Sequence, residues 1–102
     1  MRKYECMYII HPQLQEEEVN QMVEKFKGLV EGQGGEIKKM DFWGKRRMAY
    51  EVKKVREGYY VLVQFQGEPS VAQELERVLK ITEGVIRYLV IRLEEDKNDG
   101  KE

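Results

Sequence analysis

A chain of 102 residues, with 41% hydrophobic and 36% charged side chains, is long enough for one packed core beneath a heavily solvated surface. No apolar run approaches the roughly 18 residues of a membrane helix, and the single cysteine, Cys6, excludes an internal disulfide and suits a reducing compartment. The net charge of −1 excludes a protein that is basic throughout, but the charge is unevenly spread.

Met1-Arg2-Lys3-Tyr4-Glu5 leads straight into a strand-like pattern, without the apolar core or cleavage site of a signal peptide, so a cytoplasmic address is expected. From Tyr4 to Ile10, Tyr4, Cys6, Tyr8 and Ile10 alternate with Glu5, Met7 and Ile9. Large residues on both faces predict a central strand, which His11-Pro12 ends because proline cannot donate to a ladder. Glu16-Glu17-Glu18 then opens a helix, its negative charge placed on the first-turn amides. Val19, Met22, Val23, Phe26, Leu29 and Val30 keep the helical spacing and form one apolar stripe, which Gly32, Gly34 and Gly35 stop.

Glu36 to Val52 reads as a long strand whose alternation breaks between Ile37, Met40 and Phe42, with Gly44 placed for a bulge. Lys53 to Gly58 is expected as a charged loop, and Tyr59 to Gln66 as the returning strand of a hairpin. Gly67-Glu68-Pro69 is a break. Ser70-Val71-Ala72-Gln73 has the form of a capping box, and Val71, Leu75, Val78 and Leu79 supply a second stripe that Gly84 closes. Val85 to Leu93 is the last strand, and Glu94 to Glu102, acidic and poor in apolar residues, is expected as a flexible tail to a domain of residues 1–93.

The order β-α-β-β-α-β predicts an α+β, ferredoxin-like fold, a split β-α-β in which two helices cover one face of a four-stranded antiparallel sheet. No element of the chain is left for the other face. Met7, Ile9, Leu89 and Ile91 are expected there, and an exposed apolar patch of that kind marks a protein partner.

The means of catalysis are thin: one His (His11), one Ser (Ser70) and one Thr (Thr82) besides Cys6. Ser70 is accounted for as a helix cap, Cys6 as a small core residue, and His11 as a strand end. No spacing suits zinc, no glycine pattern suits a nucleotide, and consecutive glutamates cannot converge on a metal. The expectation is a protein without enzymatic activity, cofactor or metal.

Charge is the stronger signal. Glu36 to Arg56 holds eight cations against three anions, a net of +5, whereas Gln15 to Glu31 and Glu94 to Glu102 each come to −3. At the centre of the basic region stands Trp43-Gly44-Lys45-Arg46-Arg47-Met48-Ala49-Tyr50. Three adjacent cations repel one another, so folding alone gives little reason for them. A polyanion gives one, although a solvated rim that keeps a sheet edge soluble would account for them too.

With the hairpin and element order in hand, the sequence resembles a known family, ribosomal protein six of the bacterial small subunit, collinearly over about residues 1–93. Met1 to Glu5, Trp43 to Tyr50, Gly58-Tyr59-Tyr60 and Val85-Ile86-Arg87-Tyr88 carry the resemblance, and W-G-x-R-x-[LM]-A-Y is its specific part. Glu51 stands where many members have proline after the tyrosine. The resemblance implies a structural constituent of the small ribosomal subunit. It would pair with ribosomal protein eighteen and dock on the central domain of small-subunit ribosomal RNA, supporting assembly and translation. Lys45, Arg46 and Arg47 would reach phosphates, with Arg2, Lys3, Lys53, Lys54, Arg56 and Arg87 extending the footprint. Tyr4 and Tyr50 would stack on a base or pack within the protein, the latter favoured for Tyr4. Met7, Ile9, Leu89 and Ile91, with Glu94 and Glu95, would meet the protein partner.

Two other classes share the topology. A free-standing RNA-recognition-motif protein needs aromatics displayed on the open sheet, where this sequence offers mostly aliphatics, and a metal-carrying or small-molecule-sensing domain needs a loop ligand set that is missing. A homodimer through the open face is a further alternative.

Overall fold

The computed structural model describes residues 2–93 and contains β1 (Arg2–Ile10), α1 (Glu16–Gly32), β2 (Glu36–Val52), β3 (Val55–Gly67), α2 (Pro69–Ile81) and β4 (Val85–Leu93). The strands form one antiparallel sheet in the order β2-β3-β1-β4. This is the ferredoxin-like arrangement that the element order predicts, with both helices on one face.

The alternation in β1 decides what each face buries. Tyr4, Cys6, Tyr8 and Ile10 point under the helices and are nearly inaccessible, joined there by Val61, Val63 and Phe65 of β3. α1 contributes Val19, Phe26 and Val30, and α2 contributes Val71, Ala72, Leu75, Val78 and Leu79. Tyr8 meets Phe26 edge-on at 5.0 Å between ring centroids, and Tyr4 stacks on Phe65 at 5.4 Å. Tyr4 is therefore a core residue and is out of reach of a base, because the face of β1 that carries it is the covered one.

Three local details differ from expectation. First, the segment expected as a charged loop is mostly strand. Lys53 and Lys54 adopt positive φ values of 52° and 67°, closing a two-residue hairpin turn, so β3 already begins at Val55. Lysine carries no turn signal, so nothing in the residue types announces this. Second, Ser70 does not cap α2. Glu68 occupies the N-cap and Pro69 the first turn, where its fixed φ and missing N–H are no handicap. Third, α2 ends at Ile81, where the Thr82 hydroxyl donates to the Val78 carbonyl, and Gly84 (φ 98°) belongs to the turn into β4. At α1 the Gln15 N–H donates to the Glu18 carboxylate at 2.9 Å, so the glutamates of the first turn also cap the helix.

β2 has 17 residues and β1 only nine, so the β2–β3 hairpin runs past the end of the central strand as an arm. Its register breaks between Ile37 and Lys39, between Phe42 and Gly44, where Gly44 has φ 80°, and again between Arg47 and Val52. Met48 follows Arg46 on the open face of the sheet, one strand period further along. There Met48, Ile9 and Ile86 form a separate small apolar cluster, flanked by Val52, Val55 and Tyr60. Ile9 is only 2% exposed. It lies on the face expected of it, but the arm covers it, so it offers nothing to a partner.

Candidate nucleic-acid interface

The geometry of the arm starts from two dipeptides. Phe42-Trp43 on β2 faces Tyr59-Tyr60 on β3, and consecutive strand residues point to opposite faces. Phe42 therefore stacks on Tyr59 on the helix side, and Trp43 on Tyr60 on the open side, each pair with centroids 6.2 Å apart. The bulge at Gly44 keeps the following cations in step with these stacks. Lys45 places its ammonium 5.3 Å from the Tyr59 ring centroid, and Arg46 its guanidinium 5.5 Å from that of Trp43. Arg46 also donates Nε–H to the Trp43 carbonyl at 3.3 Å. Each face of the arm thus carries an aromatic pair with one cation held over it, an arrangement that orients the charge without neutralising it.

The run Lys45-Arg46-Arg47 is contiguous in sequence but divided in space. Lys45 and Arg47 share one face and line a cleft with Pro12, Gln13 and Arg56, whereas Arg46 points the other way. Lys53 and Lys54 occupy the exposed tip. Further down β2, Lys38 pairs with Glu36 at 3.4 Å and Lys39 with Asp41 at 3.7 Å. The excess positive charge therefore lies outward, from Lys45 to Glu57, where six cations face two anions.

Arg87 of β4, opposite Ile9 in the ladder, sits close to the arm. Its guanidinium lies 5.2 Å from the Tyr50 ring centroid and donates to the Tyr50 hydroxyl, so these two expected contact residues are brought together. Arg2 and Lys3 are not. They begin β1 opposite Gly67 and Gln66, whereas the arm leaves from the Ile10 end, roughly 25 Å away at about 3.3 Å per strand residue.

Along the open face, Leu89 is 53% and Ile91 40% exposed, while Met7 is half-buried beside Leu62 and Leu89. The middle of the sheet is aliphatic there, at Met7, Leu62 and Leu89, and the open-face aromatics Trp43, Tyr50 and Tyr60 gather toward the arm. That distribution disfavours the RNA-recognition-motif alternative, which stacks bases on the central strands. Glu94 and Glu95 lie outside the described residues. The roles weighed for catalysis are also settled locally. Burial pushes the Cys6 thiol up to about 12, with the Glu76 charge adding to the shift, so Cys6 is no nucleophile at neutral pH. The His11 imidazole accepts the Gln13 N–H at 3.1 Å within the turn after β1. Among the described residues no group of three or more His, Cys, Asp or Glu is placed to hold a metal ion.

Residues 3–92 match the model of a family described as Ribosomal protein S6. The chain is 60% identical over 96 residues to small ribosomal subunit protein bS6 of Moorella thermoacetica, covering 94% of this chain and 98% of that one. It is 54% identical over 97 residues to the bS6 of Carboxydothermus hydrogenoformans, covering 95% and 99%. Among solved structures, the crystal structure of 30S ribosomal protein S6 from Thermotoga maritima superposes with a TM-score of 0.86 at 39% identity, covering 90% of this chain and 87% of that one.

Proposed function

The chain belongs to the ribosomal protein S6 family, structural components of the small ribosomal subunit and not enzymes, and from that membership we propose that it binds the central domain of small-subunit ribosomal RNA as a heterodimer with ribosomal protein eighteen. Its place is the cytoplasmic ribosome. The observation that carries the RNA half of this reading is the arm, which projects from the domain with an excess of cations seated on stacked aromatics. A hairpin that seats separate cations on aromatic pairs along its two faces suits folded RNA, which is recognised through backbone and shape. Lys45, Arg46, Arg47, Lys53, Lys54 and Arg56 are the contacts we assign to it, with Tyr50 and Arg87 at its root. Arg2 and Lys3 would serve a separate, smaller contact at the far end of the sheet.

The protein half rests on Met7, Leu89 and Ile91, an apolar strip on a face that neither helix of the described residues covers. A partner that buries it would remove about 25 cal/mol from the free energy for each Å² of apolar surface. The test is to bind the purified chain to a central-domain transcript, with and without ribosomal protein eighteen. Binding that is tight only with both proteins is the expected result. Failure of the pair to bind the transcript would overturn the RNA half, and failure of the two proteins to associate would overturn the other.

A further inference from the structure

The arm has two faces, and the one on the helix side opens into a cleft whose charged lining is mostly basic. We propose that the RNA backbone runs through the cleft between the arm and the β1–α1 turn, with Lys45, Arg47 and Arg56 on its phosphates and Glu57 as the carboxylate that tempers the affinity. This rests on the RNA-binding reading above and adds which face of the arm, which groups and which part of the nucleic acid meet.

The cleft has a volume of about 740 Å³, with Pro12 and Gln13 along one side and Lys45, Arg47, Arg56 and Glu57 along the other. Its size suits a length of backbone better than a single base, and no aromatic ring lines it for stacking. The wall opposite the cations is held in place. The His11 N–H donates to the Gly84 carbonyl at 2.7 Å, the Leu14 N–H to the His11 carbonyl at 3.3 Å, and the Gln13 N–H to the His11 ring.

Availability separates these cations from the others nearby. Arg46 lies on the opposite face, over Trp43 and outside the cleft, while Lys38 is paired with Glu36 and Lys39 with Asp41. Lys45, Arg47 and Arg56 are in no ion pair among the described residues. Lys45 is moreover aimed by the Tyr59 ring beneath it. Three cations outside any of the described ion pairs line one solvent-open groove, so their potentials add there. Glu57, opposite Arg47 in the ladder, is the one anion of the cleft and opposes a phosphate placed there.

The test measures affinity of the heterodimer for a central-domain transcript between about 50 and 200 mM salt. Lys45→Gln, Arg47→Gln and Arg56→Gln are each expected to lower the slope of log K against log salt by roughly 0.7 to 0.9, the value of one lost phosphate contact. Glu57→Gln is expected to tighten binding severalfold, whereas Lys38→Gln and Lys39→Gln leave it unchanged. All six positions are solvent-exposed, and circular dichroism checks that each variant is folded. If the wild-type pair binds with the full slope and the cleft variants do likewise, the backbone runs elsewhere and the proposal fails while RNA binding stands. If the wild-type pair does not bind the transcript, both readings fall together.

Discussion

The Arg87 guanidinium covers the Tyr50 ring and donates to its hydroxyl, joining the last strand of the sheet to the distal half of β2. Neither residue is buried, yet the contact closes a groove lined by Met7, Ile9, Met48 and Tyr60. A cation–π pair at an exposed site contributes about 0.5–1 kcal/mol. A double-mutant cycle of Tyr50→Ala and Arg87→Ala, followed by chemical denaturation, should return a coupling of that size. Amides of residues 48–52 should exchange faster in either single variant. A coupling indistinguishable from zero would mean that the contact does not tether the arm.

Leu89 tests the partner face. It is more than half exposed and points away from the helices, so Leu89→Glu should leave stability within about 0.5 kcal/mol of wild type. The same change places a charge in the strip assigned to ribosomal protein eighteen and should weaken the heterodimer at least tenfold by calorimetry. Unchanged partner affinity would move the interface off this face.

Gly58 holds the arm against β1. A Cβ there would lie 2.4 Å from Ile9 Cγ2 and 2.9 Å from the Ile10 carbonyl oxygen, and the second of these is backbone. Gly58→Ala should therefore cost about 1–3 kcal/mol, the range for overpacking a close contact. The loss should be visible in the denaturation midpoint, with the largest shifts in amide spectra at Ile9, Ile10 and Met48. A neutral substitution would show that the two strands separate without penalty.

The tip of the hairpin is expected to trade stability against charge. Lys53 and Lys54 both sit at positive φ, a region unfavourable to a lysine and readily occupied by Asn-Gly. The double substitution Lys53→Asn, Lys54→Gly should raise stability by about 1 kcal/mol in thermal denaturation. It should lower affinity for the RNA transcript at fixed salt.

Cys6 and Tyr8 predict how the fold responds to alkali. Burial raises the Cys6 thiol from 9.0 to about 12, and it raises the Tyr8 hydroxyl well above its ordinary value, the Cys6 and Glu24 charges adding to it. Both groups are neutral in the folded state where the unfolded chain would ionise. The thiol's contribution is complete below pH 9.0 and is lost as pH climbs from there toward about 12, and the Tyr8 contribution is lost at still higher pH, beginning above 10.0. Stability should accordingly fall along that limb, and Cys6→Ala should flatten its first part. Alkylation of Cys6 at neutral pH should proceed only as fast as the protein opens. Rapid labelling of the native protein would contradict the burial.

Much of this architecture is legible in residue order. Val19, Phe26 and Val30 mark the buried stripe of α1, Glu36 to Val52 is one long strand as expected, and Gly44 marks its bulge. Two kinds of information were less accessible. Conformation chosen against propensity leaves no trace in residue type, as at Lys53-Lys54. Coverage supplied from afar cannot be read from alternation, and so Ile9 looks as available as Met7 until Met48 is placed over it. The division of Lys45 and Arg47 from Arg46 was within reach, since a strand period of two separates neighbours. The distance between Arg2 and the arm follows only from the topology.

Ile9 and Ile10 are adjacent in β1 and belong to different clusters, one completed by the arm and the other by the helices. The helical cluster can therefore close while the arm is still loose, and the arm can lift without opening the helices. This gives the molecule an order in time. The arm should be the last part to settle in refolding and the first to fluctuate in the native state. In a growing ribosomal particle it could remain adjustable until the surfaces on either side of it were in position.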